Sequence, residues 1–508
     1  MTTLKKITSA LISVYDKTGL DVLVKTLSRH GVQILSTGGT HGYISELGYN
    51  ALLVEDITSY PSILGGRVKT LHPLIFGGIL GRRDHEADKA EFKQYAIPAI
   101  DLVIVDLYPF EQTLKSSSDE KEIIEKIDIG GISLIRAAAK NFKDVVVIPS
   151  IKLYADFIEV YNKNDGYTTI EDRKRFAAHA FNISSHYDTA IFNYFNIEAG
   201  LPVFKQSILD ATPMRYGENP HQQGNFFGNL TSMFDQLNGK AISYNNLNDI
   251  DAAINLVNDF DETVIAILKH NNACGLAARE PLADAWKAAL AGDPLSSFGG
   301  VIITNTLVDQ ETAAEINKLF FEVIIAPDYE QSALQLLKQK KNRIILRHKS
   351  FHPEGRQFKS LLNGVLEQEK DTTTESELQL NIVTTAQPTH HEIEDLLFAN
   401  KIVKHTKSNA IVLVKNKQLV GSGIGQTSRV DAVKQAIEKA NAFGFDLKGA
   451  VMASDAFFPF SDSIEIAHRA GISAVIQPGG SVKDNESIEF CNKSEISMAF
   501  TGIRHFKH

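Results

Sequence analysis

Short apolar runs alternate with amphipathic stretches through the first part of the chain. The apolar run at 7–14 leads into the polar turn DKTG at 16–19, an amphipathic stretch at 20–30 and a second apolar run at 32–35. Further segments of the same two kinds follow at 101–107, 133–140 and 145–148. This strand, helix, strand rhythm predicts an α/β domain built on a parallel sheet.

A second series of strand-like runs occupies the rest of the chain, at 264–268, 299–304, 410–414, 450–454 and 474–477. Helix-like segments separate these runs, including 431–443 and 461–469. The loops KHNNACG at 269–275 and SDAFFPF at 454–460 each follow a strand. Their similar placement is a hint of two related subdomains.

The length of 508 residues predicts about three compact units. We place a first domain at 1–195 and a linker at 196–207, where periodicity weakens and Gly200 and Pro202 occur. A second domain then covers 208–508 and is divided near 367–385. The polar stretch EQEKDTTTESELQ at 367–379 is expected to be a surface loop joining its two halves.

Net charge, cysteine content and the lengths of the apolar runs argue against several classes of protein. A net charge of −9 argues against bulk nucleic-acid binding. Cys274 and Cys491 allow neither a disulfide framework nor a CxxC metal site, which favours a reducing cytosol. The N-terminus reads as a strand rather than a signal peptide. No uninterrupted apolar run is long enough to cross a membrane, so we expect a soluble, cytoplasmic protein with neither nucleic-acid nor membrane partners.

Two glycine-rich segments of the first domain have anion-binding chemistry. STGGT at 36–40 follows a predicted strand, so its N–H groups and hydroxyls could converge on a phosphate, although a plain glycine turn is an equal alternative. GGRVKTLHP at 65–73 places cations beside flexible backbone, and a solvated charged loop is its alternative. Tyr108 and Asp128 end an apolar and a helical run, positions where parallel-sheet proteins place ligands.

The second domain offers a loop and a basic pair. RYGENPHQ at 215–222 crowds charged and amide groups among turn formers. Lys269 and His270 follow a strand, so the histidine could accept a proton beside a charge stabiliser, or the pair could simply be solvated. FFPF at 457–460 suits a core, or a platform for a flat heteroaromatic ligand.

Two motif matches are rejected. HPE at 352–354 satisfies half of a zinc deaminase signature, but the cysteine pair is absent. GSGIG at 421–425 lacks the glycine spacing of a dinucleotide loop. We therefore expect no metal and no NAD.

Taken in order, the motifs resemble one family over nearly the whole chain. STGGT, GGRVKTLHP, LYPF, IDIGG and AAAKN are similar to the IMP cyclohydrolase domain of the bifunctional purine-biosynthesis enzymes. RYGENPHQ, SYNNLND, KHNNACG, SSFGG, EVIIAP, VKHTKSNAIVL, GQTSR, SDAFFPF, QPGG and TGIRHFKH resemble their AICAR transformylase domain.

This resemblance implies a methylglyoxal-synthase-like parallel-sheet domain followed by two cytidine-deaminase-like α/β subdomains without zinc. It also implies two reactions. Formyl transfer from the co-substrate 10-formyltetrahydrofolate to AICAR gives formyl-AICAR and tetrahydrofolate, and dehydrative ring closure then gives IMP. A homodimer is a further expectation from the family.

For formyl transfer, His270 is the candidate proton acceptor because the amine of AICAR is a poor nucleophile. By resemblance, Lys269 stabilises charge or protonates the leaving folate, and Asn409 helps to hold the formyl group. The positions implied to bind AICAR are Arg215, Tyr216, Asn246, Arg504 and His508. The positions implied to bind folate are Phe298, Glu322, Ser428, Arg429, Phe457, Phe460 and Asp462.

For ring closure, the family's catalytic positions correspond to Lys69, Tyr108, Asp128 and Lys140. The first two would polarise or protonate the formyl oxygen, and the other two would orient the carboxamide. The residues implied to hold the phosphate are Ser36, Thr37, Gly39, Thr40, Arg67 and Thr70. Two alternatives stay open: a single-activity AICAR transformylase with a phosphate-sensing N-terminal regulatory domain, and a non-enzymatic folate-binding scaffold.

Overall fold

The structure is a computed structural model that describes residues 4–349 and 355–508. The chain divides into two compact units, one ending at Leu209 and the other beginning at Asp210. The long helix that closes the first unit continues to Ala199, so the first residues of the expected linker at 196–207 are helical. Gly200 ends that helix in a left-handed conformation, with a φ of 61°.

The first unit carries a five-stranded, wholly parallel sheet of order β4-β3-β2-β5-β6. Its strands, with the short pair β1 and β7, are β1 Lys5–Lys6, β2 Ser9–Ser13, β3 Gln33–Ser36, β4 Leu52–Leu53, β5 Leu102–Val105, β6 Val146–Ile148 and β7 Tyr167–Thr168. Its helices are α1 Leu20–Arg29, α2 Gly38–Glu46, α3 Val54–Thr58, α4 Pro73–Leu80, α5 Glu86–Gln94, α6 Phe110–Ser116, α7 Glu120–Glu125, α8 Gly130–Lys140, α9 Tyr154–Lys163 and α10 Ile170–Ala199, and single 3₁₀ turns occur at Leu64–Gly66 and Ile151–Leu153.

Helices cover both faces of this sheet, which explains why its strands are continuous apolar runs rather than alternating ones. One core packs α1 and α9 on one face, and a second packs α4 and α8 on the other. The predicted strands and helices of this region are confirmed. Because all five strands run in the same direction, the loops that follow them gather at one edge of the sheet.

The second unit contains two six-stranded sheets. Its strands are β8 Ala211–Pro213, β9 Asn225–Phe227, β10 Phe234–Asn238, β11 Val264–Lys269, β12 Asn272–Ala278, β13 Val301–Thr304, β14 Val323–Ala326, β15 Ile344–His348, β16 Arg356–Leu361, β17 Gly364–Glu369, β18 Asn381–Ile382, β19 Ile411–Val414, β20 Leu419–Gly423, β21 Val451–Ser454, β22 Ala474–Gln477 and β23 Ser497–Phe500. Its helices are α11 Tyr244–Val257, α12 Leu282–Gly292, α13 Gln310–Ile316, α14 Gln331–Leu337, α15 His390–Lys404, α16 Arg429–Ala442, α17 Asp462–Arg469 and α18 Asp484–Lys493, with 3₁₀ turns at Leu230–Ser232 and Glu377–Gln379.

The two sheets have the same topology. Their orders are β10-β15-β14-β13-β11-β12 and β18-β23-β22-β21-β19-β20, and parallel and antiparallel pairs occur at the same places. The equivalence matches β11 with β19 and β13 with β21. The two related subdomains are therefore real, but the loops that suggested them are not equivalent. KHNNACG corresponds to the turn between β19 and β20, whereas SDAFFPF follows β21.

Helices α11 and α15 pack with the two sheets in one shared core, while α12 to α14 and α16 to α18 cover their other faces. The hairpin of β16 and β17 is exposed along its whole length and joins the two halves. The expected surface loop at 367–379 is only partly correct. Residues 367–369 belong to β17, and Glu375 is buried beneath the C-terminal segment.

The HPE motif at 352–354 lies outside the described residues. Within the described part of the chain, no helix is both long and apolar enough to cross a membrane. Over the same residues, no group of three or more His, Cys, Asp or Glu side chains is placed to hold a metal ion.

Candidate active sites

The loops at the carboxyl edge of the first sheet enclose a cavity of about 600 Å³. Loops after β2, β3 and β5 line it, together with the 65–71 loop and the start of α8. The predicted residues that line it are Thr37, Gly39, Thr40, Arg67, Lys69, Thr70, Tyr108 and Asp128. Four segments singled out separately in the sequence therefore form one site.

Two helices begin at this cavity. Thr37 is the N-cap of α2, and its hydroxyl lies 3.1 Å from that of Ser13 rather than capping the first turn. Gly130 and Gly131 begin α8. Since the free N–H groups of a first helical turn carry partial positive charge, the start of α2 favours an anion such as a phosphate. The start of α8 already holds the Asp128 carboxylate through Gly131 N–H.

The Lys69 ammonium lies beside the start of α2. Its Nζ atom would be 3.9 Å from a Cβ atom built on Gly38. Gly66 makes this position possible. It has a φ of 90°, and a Cβ there would meet Lys69 Cε at 2.6 Å. Glycine at 66 therefore lets the lysine fold back over its own loop towards the cavity.

Two residues that line the cavity suit proton transfer, Asp128 as a base and Tyr108 as an acid. The Asp128 carboxylate accepts a hydrogen bond from Gly131 N–H at 2.5 Å, yet burial raises its pKa above the usual value. Burial, and then the negative charge of Asp128, raise the pKa of Tyr108. Asp128 is thus a stronger base than an exposed aspartate, and Tyr108 keeps its proton at neutral pH.

Two predicted residues do not reach this cavity. Ser36 is completely buried and its hydroxyl donates to the Ile12 carbonyl at 2.7 Å, which is a structural bond between neighbouring strands. Lys140 ends α8, about 15 Å along the helix axis from Gly130. The catalytic role of Lys140 stays a prediction.

Sequence reasoning missed several lining side chains. Tyr15 contacts Tyr108 edge to face, with ring centroids 5.5 Å apart. Asp106 accepts hydrogen bonds from the backbone N–H groups of Tyr15 and Asp16, and Glu125 pairs with Arg67. The turn after β2 could have identified Tyr15 from the sequence, because the loops that follow parallel strands lie at the same edge of the sheet.

In the second unit, Lys269 and His270 lie where β11 turns into β12. His270 and Asn271 form the two-residue turn, with φ of 51° and 65°. The Asp249 carboxylate accepts from Asn271 N–H at 2.8 Å and fixes this turn. The His270 imidazole is therefore exposed at the tip of a rigid hairpin.

The equivalent turn in the second half consists of Asn416 and Lys417, also with positive φ. Its N–H groups donate to Asp395, at 2.7 Å and 2.6 Å, as Asn271 does to Asp249. The turn and the carboxylate that fixes it thus occur in both halves. Of these two turns, the one between β11 and β12 carries the basic pair Lys269 and His270, and the other does not.

Asn409 lies in a hydrogen-bonded cluster next to this hairpin. Its amide donates to the Gln426 carbonyl at 2.9 Å and its oxygen accepts from Arg429 at 2.8 Å. The Asn272 side chain accepts from Lys407 N–H at 2.9 Å, which joins the hairpin to the segment before Asn409. The hairpin that carries His270, in the first half of the unit, and Asn409, in the second half, are therefore brought together.

Arg429 is buried, and its guanidinium pairs with Asp455 at 2.5 Å and donates to Ser454. It also donates to the Asn409 side-chain oxygen at 2.8 Å and so positions Asn409. Ser428 caps α16, accepting from Asp431 N–H at 3.1 Å. The folate-binding roles given to Ser428 and Arg429 stay predictions, and both residues have structural roles in addition.

The C-terminal segment is anchored beside the same cluster. Ser408 N–H donates to the Lys507 carbonyl at 2.9 Å, and His505 N–H donates to that of Asp455 at 3.1 Å. The flanking residues Arg504 and His508 are exposed, with Arg504 4.4 Å from the ring of Phe506. Anchoring therefore brings the predicted AICAR-binding tail to the Asn409 cluster.

His505 holds this segment through two carboxylates, Asp371 at 2.6 Å and Glu375 at 2.8 Å. Burial alone would lower the pKa of His505, but hydrogen bonds and charge from these carboxylates raise it to about 9. Because the folded pKa exceeds the unfolded value of about 6.5, charged His505 stabilises the protein fully below pH 6.5. This contribution is lost as the pH rises through about 9.

We therefore expect His505→Asn to lower the free energy of unfolding by about 1–3 kcal/mol at pH 6.5, and by clearly less at pH 10. Urea unfolding of both proteins at the two pH values measures this. A deficit that is the same at both pH values would show that the charge on His505 is not what anchors the tail.

The remaining AICAR-binding candidates cluster at the start of α11. Asn246 is the third residue of α11, and its side chain accepts from the Ser243 hydroxyl at 2.8 Å in a capping box. Asn245 donates to the Glu218 carbonyl at 3.1 Å, so the loop that carries Arg215 and Tyr216 rests on the same helix end. Asn246 thus has a structural role in addition to any role in binding.

The folate candidates other than Ser428 and Arg429 fall into two groups. Phe298 is 59% exposed, and its carbonyl accepts from Lys269 Nζ at 2.8 Å. Glu322 pairs with Lys240 at 2.6 Å. The others follow Asp455 along the chain: Phe457 and Phe460 are exposed, and Asp462 begins α17.

Both units match models of known protein families. Residues 19–133 match the MGS-like domain, and residues 138–439 match the AICARFT/IMPCHase bienzyme. The fold and the two sets of polar side chains, one around the cavity and one around the Lys269 hairpin, therefore define a bifunctional enzyme with a methylglyoxal-synthase-like first domain. This confirms the predicted fold class.

Three relatives, each named bifunctional purine biosynthesis protein PurH, match almost end to end. The one from Bacteroides thetaiotaomicron is 60% identical, with 99% of each chain covered. Those from Aquifex aeolicus and Persephonella marina are 48% and 44% identical, and the matches cover 98% of this chain and 100% and 99% of theirs. The chain belongs to the AICARFT/IMPCHase bienzyme family. It has AICAR transformylase and IMP cyclohydrolase activities, which form the last two steps of IMP synthesis, and uses a folate-type co-substrate.

Proposed function

We propose that each unit catalyses one of the two reactions with its own residues. The second unit transfers a formyl group from 10-formyltetrahydrofolate to AICAR, and the first unit closes the ring of the product. The observation that carries this proposal is that each unit assembles a separate set of chemically matched side chains, around the cavity and around the Lys269 hairpin.

In formyl transfer, the 5-amino nitrogen of AICAR attacks the formyl carbon and the bond from that carbon to N10 of the folate breaks. The exposed imidazole of His270 takes the proton that the amine loses. Lys269 lies next to it along β11 and supplies a positive charge, or the proton that N10 gains. Asn409, held by Arg429 and Gln426, orients the formyl oxygen.

In ring closure, the carboxamide nitrogen attacks the formyl carbon and gives a carbinolamine. The carbinolamine hydroxyl then leaves as water, while the former 5-amino nitrogen loses its proton and forms the C=N bond of the new ring. Lys69 and the protonated Tyr108 stabilise and protonate that oxygen. Asp128, whose pKa is raised by burial, accepts the proton of the attacking nitrogen. The start of α2 binds the phosphate of the ribotide.

The expected outcome is that the purified protein converts AICAR and 10-formyltetrahydrofolate into tetrahydrofolate and IMP in equal amounts. Both products are followed by absorbance and chromatography. The single-activity alternative predicts that the reaction stops at formyl-AICAR, and that supplied formyl-AICAR is not closed. A failure to form tetrahydrofolate would exclude the transformylase itself.

We also propose that the protein acts in the cytoplasm as a homodimer. The exposed hairpin of β16 and β17 supports a partner surface, since Leu362 is 99% and Leu366 61% exposed in the single chain. AICAR and formyl-AICAR are the other small molecules that we propose it binds.

A further inference from the structure

A buried histidine near the C-terminus is held by charged groups that take no part in the proposed chemistry. His505 is 2% exposed, and its two ring nitrogens face the carboxylates of Asp371 and Glu375. An imidazole donates from both nitrogens only when it is protonated, so this geometry matches a positively charged His505. The 371–375 segment follows the exposed hairpin that joins the two halves of the unit. We call His505 with these two carboxylates the His505 clamp.

The carboxylate side of the His505 clamp is itself fixed by α15. Asn400 donates to the second oxygen of Glu375 at 2.7 Å, and Lys404 donates to the Thr373 carbonyl at 2.8 Å. The Lys404 ammonium also lies 3.0 Å from the carboxylate of Asp259, which follows α11 in the first half of the unit. The 371–375 segment is therefore anchored to both halves.

The His505 clamp fixes the tail that carries two of the predicted AICAR-binding residues. Arg504 directly precedes His505, and His508 lies three residues beyond it; both are exposed. In between, the Lys507 carbonyl accepts from Ser408 N–H at 2.9 Å. The tail is thus held at His505 and again at Lys507, and the direction in which Arg504 projects depends on where His505 is seated.

We propose that the His505 clamp positions the C-terminal tail for AICAR binding, so that Asp371, Glu375 and His505 are positioning residues for formyl transfer. They touch none of the reacting atoms and act through Arg504 and His508. Loss of the clamp weakens binding of AICAR and leaves folate binding and the chemical step largely unchanged. This inference rests on the proposed binding of AICAR by the tail.

The His505 clamp also makes AICAR binding depend on pH. The charged residues packed around it or next to it in the chain are Asp371, Glu375, Lys404, Asp455, Arg504 and Lys507. Arg429 already neutralises the carboxylate of Asp455. Burial lowers the pKa of His505, but hydrogen bonds and charge from the two carboxylates raise it to about 9. The KM for AICAR should therefore rise as the pH passes through about 9, where the phosphate of AICAR no longer titrates.

The test removes one carboxylate of the clamp at a half-exposed position, with Asp371→Asn. At about pH 7 we expect the KM for AICAR to rise about tenfold, because a charge-assisted hydrogen bond is lost. The kcat at saturating AICAR and the KM for 10-formyltetrahydrofolate should change less than about twofold. The rise of the KM for AICAR with pH should also move to lower pH, since the pKa of His505 falls when one carboxylate is removed.

Two further variants serve as controls. Asp371→Glu keeps the carboxylate and should restore most of the affinity for AICAR. Glu377→Gln changes an exposed carboxylate of the same connection that is not a partner of His505, and it should bind AICAR normally. Binding of AICAR to all the proteins is measured by calorimetry in the absence of folate, beside the steady-state kinetics.

Turnover by Asp371→Asn with an unchanged KM for AICAR and an unchanged pH profile overturns the inference and leaves the proposed function intact. Equal rises in both KM values with a loss of kcat, or a loss that Asp371→Glu does not restore, would indicate general damage to the unit and also overturns it. Weaker binding of AICAR by Asp371→Asn, in a protein whose unmodified form does not turn over, supports the inference and overturns formyl transfer instead.

Discussion

Replacing His270 by asparagine is expected to lower the rate of formyl transfer to AICAR by about 10²–10⁴-fold, while ring closure of supplied formyl-AICAR stays unchanged. The imidazole is the proposed acceptor of the amine proton, and an amide cannot replace it. Asparagine suits this position because His270 has a φ of 51°, a conformation that asparagine tolerates better than alanine. The substitution therefore tests chemistry rather than the turn.

The duplicated turn offers a matched control. Asn416 has a φ of 55° at the equivalent position of the other hairpin. Changing it to glycine, which adopts a positive φ freely, should leave both reaction rates within about twofold, because Asn416 has no role in the proposed proton transfer. If His270→Asn transfers formyl groups at the normal rate, another base must take the proton. If it also loses ring closure, the two sites are not independent.

Lys69→Gln is expected to have the opposite effect. It removes the positive charge beside the start of α2, where the leaving oxygen of the ring-closure reaction develops negative charge. We expect ring closure to slow by about 10²–10³-fold and formyl transfer to remain normal. The measurement is IMP formation from supplied formyl-AICAR, with tetrahydrofolate release from the same preparation as the second readout.

Lys163→Gln is the control for this variant, since Lys163 is an exposed lysine of the same unit that does not line the cavity. It should close the ring at the normal rate. Normal ring closure in Lys69→Gln would remove Lys69 from the mechanism. A joint loss of formyl transfer would instead point to a folding defect.

Much of the first site could be predicted because parallel strands impose a simple rule. Apolar runs identify strands, and the loops after them must meet at one edge. The rule accounts for Thr37 and Tyr108, which follow β3 and β5, whereas the resemblance to the family implied that Lys69 and Asp128 belong with them. The rule does not apply to Lys140, whose role rests on the resemblance and which lies about 15 Å along α8 from Gly130.

The second site was less accessible to sequence reasoning, because long-range hydrogen bonds determine which polar groups face a ligand. Nothing in the segment GQTSR shows that Arg429 is buried against Asp455. Likewise, the polar composition around Glu375 predicts an exposed loop, yet that carboxylate is buried against His505. The duplication also needed the sheet orders, since the two equivalent turns share almost no residues.

We propose that one chain carries two independent active sites, and a mixing experiment tests this most directly. The His270→Asn and Lys69→Gln enzymes are each supplied with AICAR and 10-formyltetrahydrofolate, separately and then together. Neither variant alone should make IMP at an appreciable rate. The mixture should make it, because one variant forms formyl-AICAR and the other closes its ring. A mixture that makes no IMP would contradict the claim.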